Sequence, residues 1–252
     1  MQEYFVAETL SPGKIIELPK DKADHAFKVL RLSHEMIRLV SQGTGWFAEA
    51  YQEGKKGLAR VISRDPDINE LPVDFTLCMA LIRREKFELV LQKATELGVS
   101  KIVPFVSSRC VVKAKEEKSQ RQLERWRAIL TEASEQCKRN RIPDIVSPLS
   151  VSDLDTCMQS VNLCACEGVR TSAVSVSGAM KPEPVTAVIG PEGGFSEDEV
   201  KLLETMGYTP VSLGNRILRA ETAAIYICSV IGEALLQTRP PVKCTDQNPE
   251  SL

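Results

Sequence analysis

Two short runs of this sequence combine glycine with ionisable side chains as ligand-binding loops do: IGPEGG at 189–194 and LGNRILRAET at 213–222. Each follows an apolar run and opens a helical pattern. The first apolar run is Val185 to Ile189. Beyond its loop, Ser196 and Glu199 have the spacing of a capping box, in which each side chain satisfies the other's backbone N–H. The second run ends in Val211, Ser212 and Leu213, and its loop leads into the apolar stretch from Ala223 to Leu236. An α/β sheet forms its ligand crevice beyond the carboxyl ends of its strands, where both loops fall. Such loops recognise ligands through backbone groups, here those of Gly190, Gly193, Gly194 and Gly214. Tight-turn geometry accounts for any one of these glycines, but less well for the pair of loops.

Charge narrows the ligand. Neither GxxxxGK[ST] nor GxGxxG before a helix is present, so neither phosphate-cradling fingerprint applies. Glu192 stands in the first loop, and Glu197, Asp198 and Glu199 crowd the next helix start, where acids ordinarily complement the helix dipole. They also occupy the helix end that would attract an anion. A neutral or cationic ligand is therefore expected.

The elements that must hold these loops follow from composition and pattern. At 252 residues, 43% hydrophobic and 26% charged, the chain can bury one large or two modest cores. MQEYFVAETL lacks the basic-then-apolar pattern of a leader, and the most apolar segment, Thr222 to Leu236, is too short to span a bilayer. A cytoplasmic location is expected. The eight cysteines contain no CxxC pair and only two histidines accompany them, so no metal is expected. Most lie in apolar runs, where a free Cys packs as a small hydrophobe. Cys164 and Cys166 share one face of a strand, which leaves a redox pair as the alternative to packing. Net charge is −2, yet residues 75–141 hold fifteen Lys/Arg against eight Glu, a local +7. That basic middle is a candidate phosphate-binding face; from Lys113 to Arg127 a solvated helix surface with i,i+4 pairs explains it better. Lys138, Arg139 and Arg141 are separated by no acid.

The chain divides at RDPDINELP, which combines two prolines with polar residues. Before it, MIRLV, WFAEAYQ and LARVIS alternate like short strands, with a helical patch from Asp24 to Leu32. After it, DFTLCMAL reads as a buried strand and REKFELVLQKATELG as a helix stopping at Gly98. VSKIVPFV is a strand in which Pro104 argues for an edge or a bulge. A helix over 121–139 aligns Leu123, Trp126, Leu130, Ala133 and Cys137, and VNLCACEG supplies a further strand. Alternating strands and helices predict a mostly parallel sheet. The tail after Pro240 and Pro241 reads as disordered.

Five blocks in order, HAFKVLRL, FELVLQKATELGVSKIVPFVSSRC, RWRAILTEASEQCKRNRIP, AVIGPEGGFSEDE and LGNRILRAETAA, resemble the RsmE family of 16S ribosomal RNA uridine-N3 methyltransferases, within the SPOUT superfamily. The resemblance runs from about Tyr4 to Leu236. It implies an α/β SPOUT domain with a C-terminal trefoil knot at 73–238, a PUA-like β-barrel for RNA at 1–70 and a disordered tail at 239–252. It further implies a homodimer that methylates uridine N3 in 16S RNA or the 30S subunit from S-adenosylmethionine. A different SPOUT methylation, on ribose 2′-O or a tRNA base, and a non-catalytic RNA-binding assembly factor are the alternatives.

Carried over to this sequence, the resemblance places the cofactor on Gly190, Pro191, Glu192, Gly193 and Gly194. The second loop adds Leu213, Gly214, Ile217, Leu218 and Arg219, with Thr222 and Ala223 beside them, and Glu167 borders the pocket. The RNA face draws on His25, Arg31, Arg83, Lys93, Arg109, Arg139 and Arg141. For the chemistry, Arg139 or Arg219 would favour the imide anion and Glu192 or Glu221 would accept the N3 proton. Arg139 is expected in the active site, reaching across the dimer. Helix capping competes as the reading of Glu221, and a packing histidine as that of His25. The last helix is apolar almost all round, which fits either a dimer face or a central position.

Overall fold

The structure, a computed structural model, describes residues 1–110, 119–166 and 174–237. Two sheets organise the chain. The first, in the order β1-β3-β4-β5-β2, is built from β1 (Gln2–Phe5), β2 (Ile15–Glu17), β3 (Glu35–Ser41), β4 (Thr44–Glu53) and β5 (Lys56–Arg64). Its pairs are antiparallel except β1 with β3. Strands β1 and β2 were not expected from the sequence. The helical patch falls earlier than expected, as α1 (Lys20–Asp24) continued by a π-helical turn over His25–Val29. Tyr4, Ile37, Leu39, Ala48 and Ala59 form the centre of this module's own core.

The second sheet is parallel throughout, in the order β11-β13-β10-β12-β6-β7-β8. Its strands are β6 (Phe75–Ala80), β7 (Lys101–Val106), β8 (Asp144–Ile145), β9 (Leu149–Ser150), β10 (Val161–Ala165), β11 (Val174–Ser175), β12 (Val185–Ile189) and β13 (Thr209–Ser212). Helices α2 (Arg84–Glu96), α3 (Ser119–Gln136) and α6 (Ala220–Leu236) cover one face. On the other, α5 (Glu197–Met206) and a 3-10 turn over Val151–Cys157 enclose a smaller core; α4 (Val176–Ala179) follows β11.

Both faces of the parallel sheet are therefore dry, and the strand residues alternate between the two cores. In β6, Phe75, Leu77 and Met79 point into the larger core while Cys78 and Ala80 point into the smaller one. The helical stripe expected in α3 is buried at Leu123, Trp126, Leu130 and Ala133, with Trp126 tilted onto Phe87 of α2 at 4.8 Å between ring centroids.

Pro104 corrects an expectation. Strand β7 is not an edge, because β6 flanks it on one side and β8 and β9 on the other. However, β8 pairs only with Lys101 and Ile102, and β9 only with Phe105 and Val106. Pro104, which has no N–H to donate, falls at the gap between them.

The two sheets are joined by a buried polar network. Arg38 of β3 donates through Nη1 to Glu3 Oε2 and through Nε to Asp65 Oδ2, both at 2.6 Å, and through Nη2 to Asn140 Oδ1 at 3.3 Å. Arg139, next to Asn140, donates to Glu70 Oε2 at 2.6 Å and to the carbonyls of Thr95 and Val99 at 3.0 and 2.6 Å. The backbone N–H groups of Asn140 and Arg141 also point at Glu70. Removing the Arg139 side chain would take from half-buried Glu70 the closer of its two guanidinium partners and from the Val99 carbonyl its 2.6 Å donor. Arg139→Ala is expected to lower the unfolding free energy by about 3–5 kcal/mol, the range for breaking a buried ion pair, as measured by urea denaturation.

Candidate active site

The three strands that carry the site are neighbours in parallel register. Ala165, at the end of β10, pairs with Ile189 of β12 on one side and with Val211 of β13 on the other. The chain therefore leaves all three strands at the same height. Strand β13 enters between β10 and β11, two strands laid down before it. Beyond the three ends lies a crevice open to solvent.

Its floor and walls are apolar: Ala165, Ile189, Val211, Leu213, Ile217, Leu218, Ala220 and Ala223. Backbone from the two glycine loops supplies the polar part. Gly190 packs so tightly that a Cβ there would come within 2.9 Å of the Phe195 ring. Gly214 has φ of 102°, a conformation that a side chain disfavours. Among the described wall residues the ionisable side chains are Glu192, Arg216 and the thiol of Cys166.

The loops are held by the elements expected. Ser196 caps α5 by accepting from the Glu199 N–H, and Glu199 accepts in return from Ser196 N at 2.9 Å. Glu199 is buried and reaches further than a capping box requires: it accepts from Ser108 N at 2.7 Å and Ser107 Oγ at 3.1 Å, tying the turn after β7 to α5. Burial alone would raise its pKa, but the donors from Ser108, Ser196 and Ser107 outweigh it and hold the carboxyl below its ordinary value. In the next turn Arg109 Nη1 donates to the Gly193 carbonyl at 3.1 Å, and Arg83 N donates to Glu192 Oε1 at 3.4 Å.

Glu221, in the first turn of α6, is buried and pairs with Lys86 Nζ at 3.0 Å through Oε1. Burial pushes its pKa up, and its own backbone N–H, Lys86 and Arg219 more than reverse that. Glu221 is thus a first-turn acid held in an ion pair rather than a cap, the N-cap of α6 being Arg219.

Of the residues expected on the cofactor, the cavity brings together Gly190, Pro191, Glu192, Gly194, Leu213, Gly214, Ile217, Leu218 and Ala223. Gly193 lies in the same loop with its carbonyl turned to Arg109, while Arg219 and Thr222 are exposed at the start of α6 and outside the wall. Glu167 lies outside the described residues. Sequence reasoning missed Cys166, Phe195, Ser212 and Arg216. The second loop holds two cations, Arg216 and Arg219, and its sequence does not show that Arg216 is the one that faces the cavity.

Arg139 is a correction. The structure does not bring it to the cavity: its side chain is 2% exposed and its guanidinium is saturated by Glu70, Thr95 and Val99. A residue so enclosed reaches neither this site nor a partner's.

Of the expected RNA face, Arg83 and Arg109 stand exposed beside the Glu192 loop, and Arg31 is exposed on the first module. Lys93 is paired with Glu96, and Arg141 with Glu70 and Asp74. His25 is half-buried against Tyr4, edge to face, with Tyr4 Oη 3.0 Å from Nδ1. Burial, with the Glu135 charge, pushes the Tyr4 pKa up to about 12.

Among the described residues no group of three His, Cys, Asp or Glu could hold a metal, and no helix is long and apolar enough to cross a membrane.

A parallel sheet with a late strand inserted among early ones, and an apolar crevice at its carboxyl edge lined by two glycine loops, defines an α/β methyltransferase of the SPOUT class, here preceded by a barrel-like sheet. The RNA methyltransferase domain family matches residues 69–232. The ribosomal RNA small subunit methyltransferase E of Bacillus subtilis is 31% identical, over 92% of this chain and 96% of that one. That of Rickettsia conorii is 32% identical over 88% and 91%. The Neisseria gonorrhoeae enzyme of the same name, solved bound to S-adenosyl methionine, superposes with a TM-score of 0.83 at 29% identity, covering 92% of this chain and 97% of that one. A Legionella pneumophila protein solved with S-adenosylmethionine bound gives the same TM-score at 32% identity and the same coverage. The chain belongs to the ribosomal RNA small subunit methyltransferase E family.

Because the native pKa of Glu199 lies below its unfolded value, its contribution to stability is complete above the ordinary carboxylate range and is lost as pH falls through the native value. Glu199→Ala is expected to cost about 1–3 kcal/mol near neutral pH, since it leaves the Ser108 and Ser196 donors unsatisfied. The difference from the parent chain should shrink on acidification in urea titrations run at a series of pH values.

Proposed function

We propose that this protein transfers the methyl group of S-adenosylmethionine to N3 of a uridine in small-subunit ribosomal RNA. One observation carries the reading: in a chain of this family, a crevice with apolar walls, glycine-opened backbone and no phosphate cradle stands at three aligned strand ends. The residues present fit the cofactor. Apolar side chains such as Leu213, Ile217 and Leu218 suit the adenine faces, backbone groups of the loops suit its edges, and Glu192 suits a cation. When bound, S-adenosylmethionine supplies an electrophilic methyl group on a sulfonium.

The chain's own residues have three tasks. The walls exclude water and hold the acceptor within about 3–3.5 Å of the methyl, from which much of the rate gain derives. Glu192 accepts the N3 proton, its carboxylate being oriented by the Arg83 N–H. Arg216 in the wall and Arg219 at the start of α6 favour the imide anion by adjacency. Glu221, kept anionic by Lys86, positions the start of α6.

A paired uridine has its N3 occupied, so the base enters unpaired. Residues 1–70 act as a PUA-like RNA-binding domain and 73–238 as the methyltransferase domain. Arg83 and Arg109 beside the site, and His25 and Arg31 on the first module, take phosphate contacts, which position the RNA without reading its sequence. The protein works as a homodimer in the bacterial cytoplasm. Tyr226, a large side chain 44% exposed on α6, supports a contact there.

Incubating the protein with labelled S-adenosylmethionine and 30S subunits that lack the modification should yield 3-methyluridine on nucleoside mass spectrometry. Label on a ribose oxygen or another base would replace the proposed acceptor. Glu192→Gln should lower kcat by about 10²–10⁴-fold, the usual contribution of a general base, while weakening cofactor binding by calorimetry only about fivefold or less, the worth of one exposed charge contact.

A further inference from the structure

The thiols of Cys164 and Cys166 are 2.8 Å apart, inside the van der Waals separation of two sulfurs. Alternation along β10 puts both on the smaller-core side of the sheet. Their surroundings then diverge. Cys164 is 1% exposed, packed in that core, whereas Cys166 is half-buried where the chain leaves the strand, in the wall of the cavity. One thiol of the pair is thus reachable from the ligand crevice and the other is not.

We propose that Cys164 and Cys166 form an oxidisable dithiol, a modification site whose closure to a disulfide removes cofactor binding. The Cys166 thiolate attacks one sulfur of a low-molecular-weight disulfide, releasing one thiol and leaving a mixed disulfide on Cys166. Cys164 then loses its proton and attacks the Cys166 sulfur, forming the internal bond and releasing the second thiol. The two cysteines lose two electrons and two protons, and the reagent disulfide is reduced to two thiols. Accessibility sets the order of the steps. The hydrogen bond to Cys166, together with burial, pushes the Cys164 thiol well up, so it stays protonated until the mixed disulfide stands beside it.

Geometry makes the bond local and its effect specific. The sulfurs must close from 2.8 Å to about 2.05 Å, and the Cα atoms to the usual disulfide separation of about 5.5–6 Å, less than the roughly 6.6 Å that two residues of parallel strand span. The backbone can comply only beyond Ala165, where the ladder with Ile189 and Val211 ends. That exit carries Cys166 and forms one wall of the cavity. Cys228 is buried and absent from the cavity wall, and its thiol is pushed up by burial alone, so it is the internal control.

The coupling to cofactor rests on the function proposed above; the thiol chemistry does not. The test incubates the full chain with oxidised glutathione and maps the products by peptide mass spectrometry. S-adenosylmethionine binding is then measured by calorimetry before oxidation, after it, and after dithiothreitol. The expected result is a Cys164–Cys166 disulfide, loss of binding, and recovery on reduction. Cys164→Ser should stop at glutathione on Cys166, whose release by dithiothreitol shows the variant to be folded and reactive. Failure of Cys166 to react in either protein overturns the dithiol assignment, and a disulfide that leaves binding intact overturns the switch. If the reduced protein binds no S-adenosylmethionine, the cofactor reading and the coupling fall together, while the mapped disulfide still decides the dithiol.

Discussion

The alignment of β10, β12 and β13 is the constraint on which the rest of this structure depends. Parallel strands share direction, so their carboxyl ends can be brought level, and here Ala165, Ile189 and Val211 are cross-paired at one height. Slipping any one strand by a residue would turn its side chains to the opposite face, and both faces are buried. The alternation of Val161, Leu163 and Ala165 against Cys164 and Cys166 therefore fixes more than packing. It fixes which backbone groups meet in the crevice, and it puts a thiol in the wall.

A second interaction sets where the first sheet stands against the parallel one. Arg38 and Arg139 flank Asn140, one drawing acceptors from β1, the linker and the 138–140 turn, the other from Glu70, Thr95 and Val99. Guanidinium is suited to this because it offers five donors in a fixed fork and does not lose its proton. Lys22 adds a peripheral tie to Glu135 of α3. On the proposed function, an RNA strand held on the first module would meet the crevice at a defined distance, without which phosphate contacts would position nothing.

The parts legible in the sequence were those fixed by local physics. The capping box at Ser196 and Glu199, the glycine turns, the stripe in α3 and the buried run of β6 each depend on neighbours within a few residues. The misread parts have distant causes. Arg139 looked like an unpaired cation because its acceptor, Glu70, is 69 residues away. Pro104 looked like an edge residue because nothing local records that β8 and β9 stop on either side of it. Strands β1 and β2, of four and three residues, are too short to show a period. Arg216 was passed over, although its loop was recognised, because only the fold shows which side chains of a glycine loop face inward. The family resemblance drew on five blocks at once and was right about fold and cofactor class where any single block would have been weak.

Lowered carboxyl pKa values divide the labour among the acids of this region. A carboxylate that accepts several N–H bonds is stabilised in its charged form, and by the same amount it is a poorer base. Glu199 accepts from three residues, and Glu221 from Lys86 and its own helix terminus. Both are therefore structural anions that pin the loops from behind. Glu192 differs in kind: it is exposed, receives one long backbone bond, and is the carboxylate in the described wall of the cavity. On the proposed function, an acid that first faces a sulfonium and then takes a proton would have to be free to change partners. Of these three, only the loop residue has that freedom, and the two buried ones give the loop something rigid to move against.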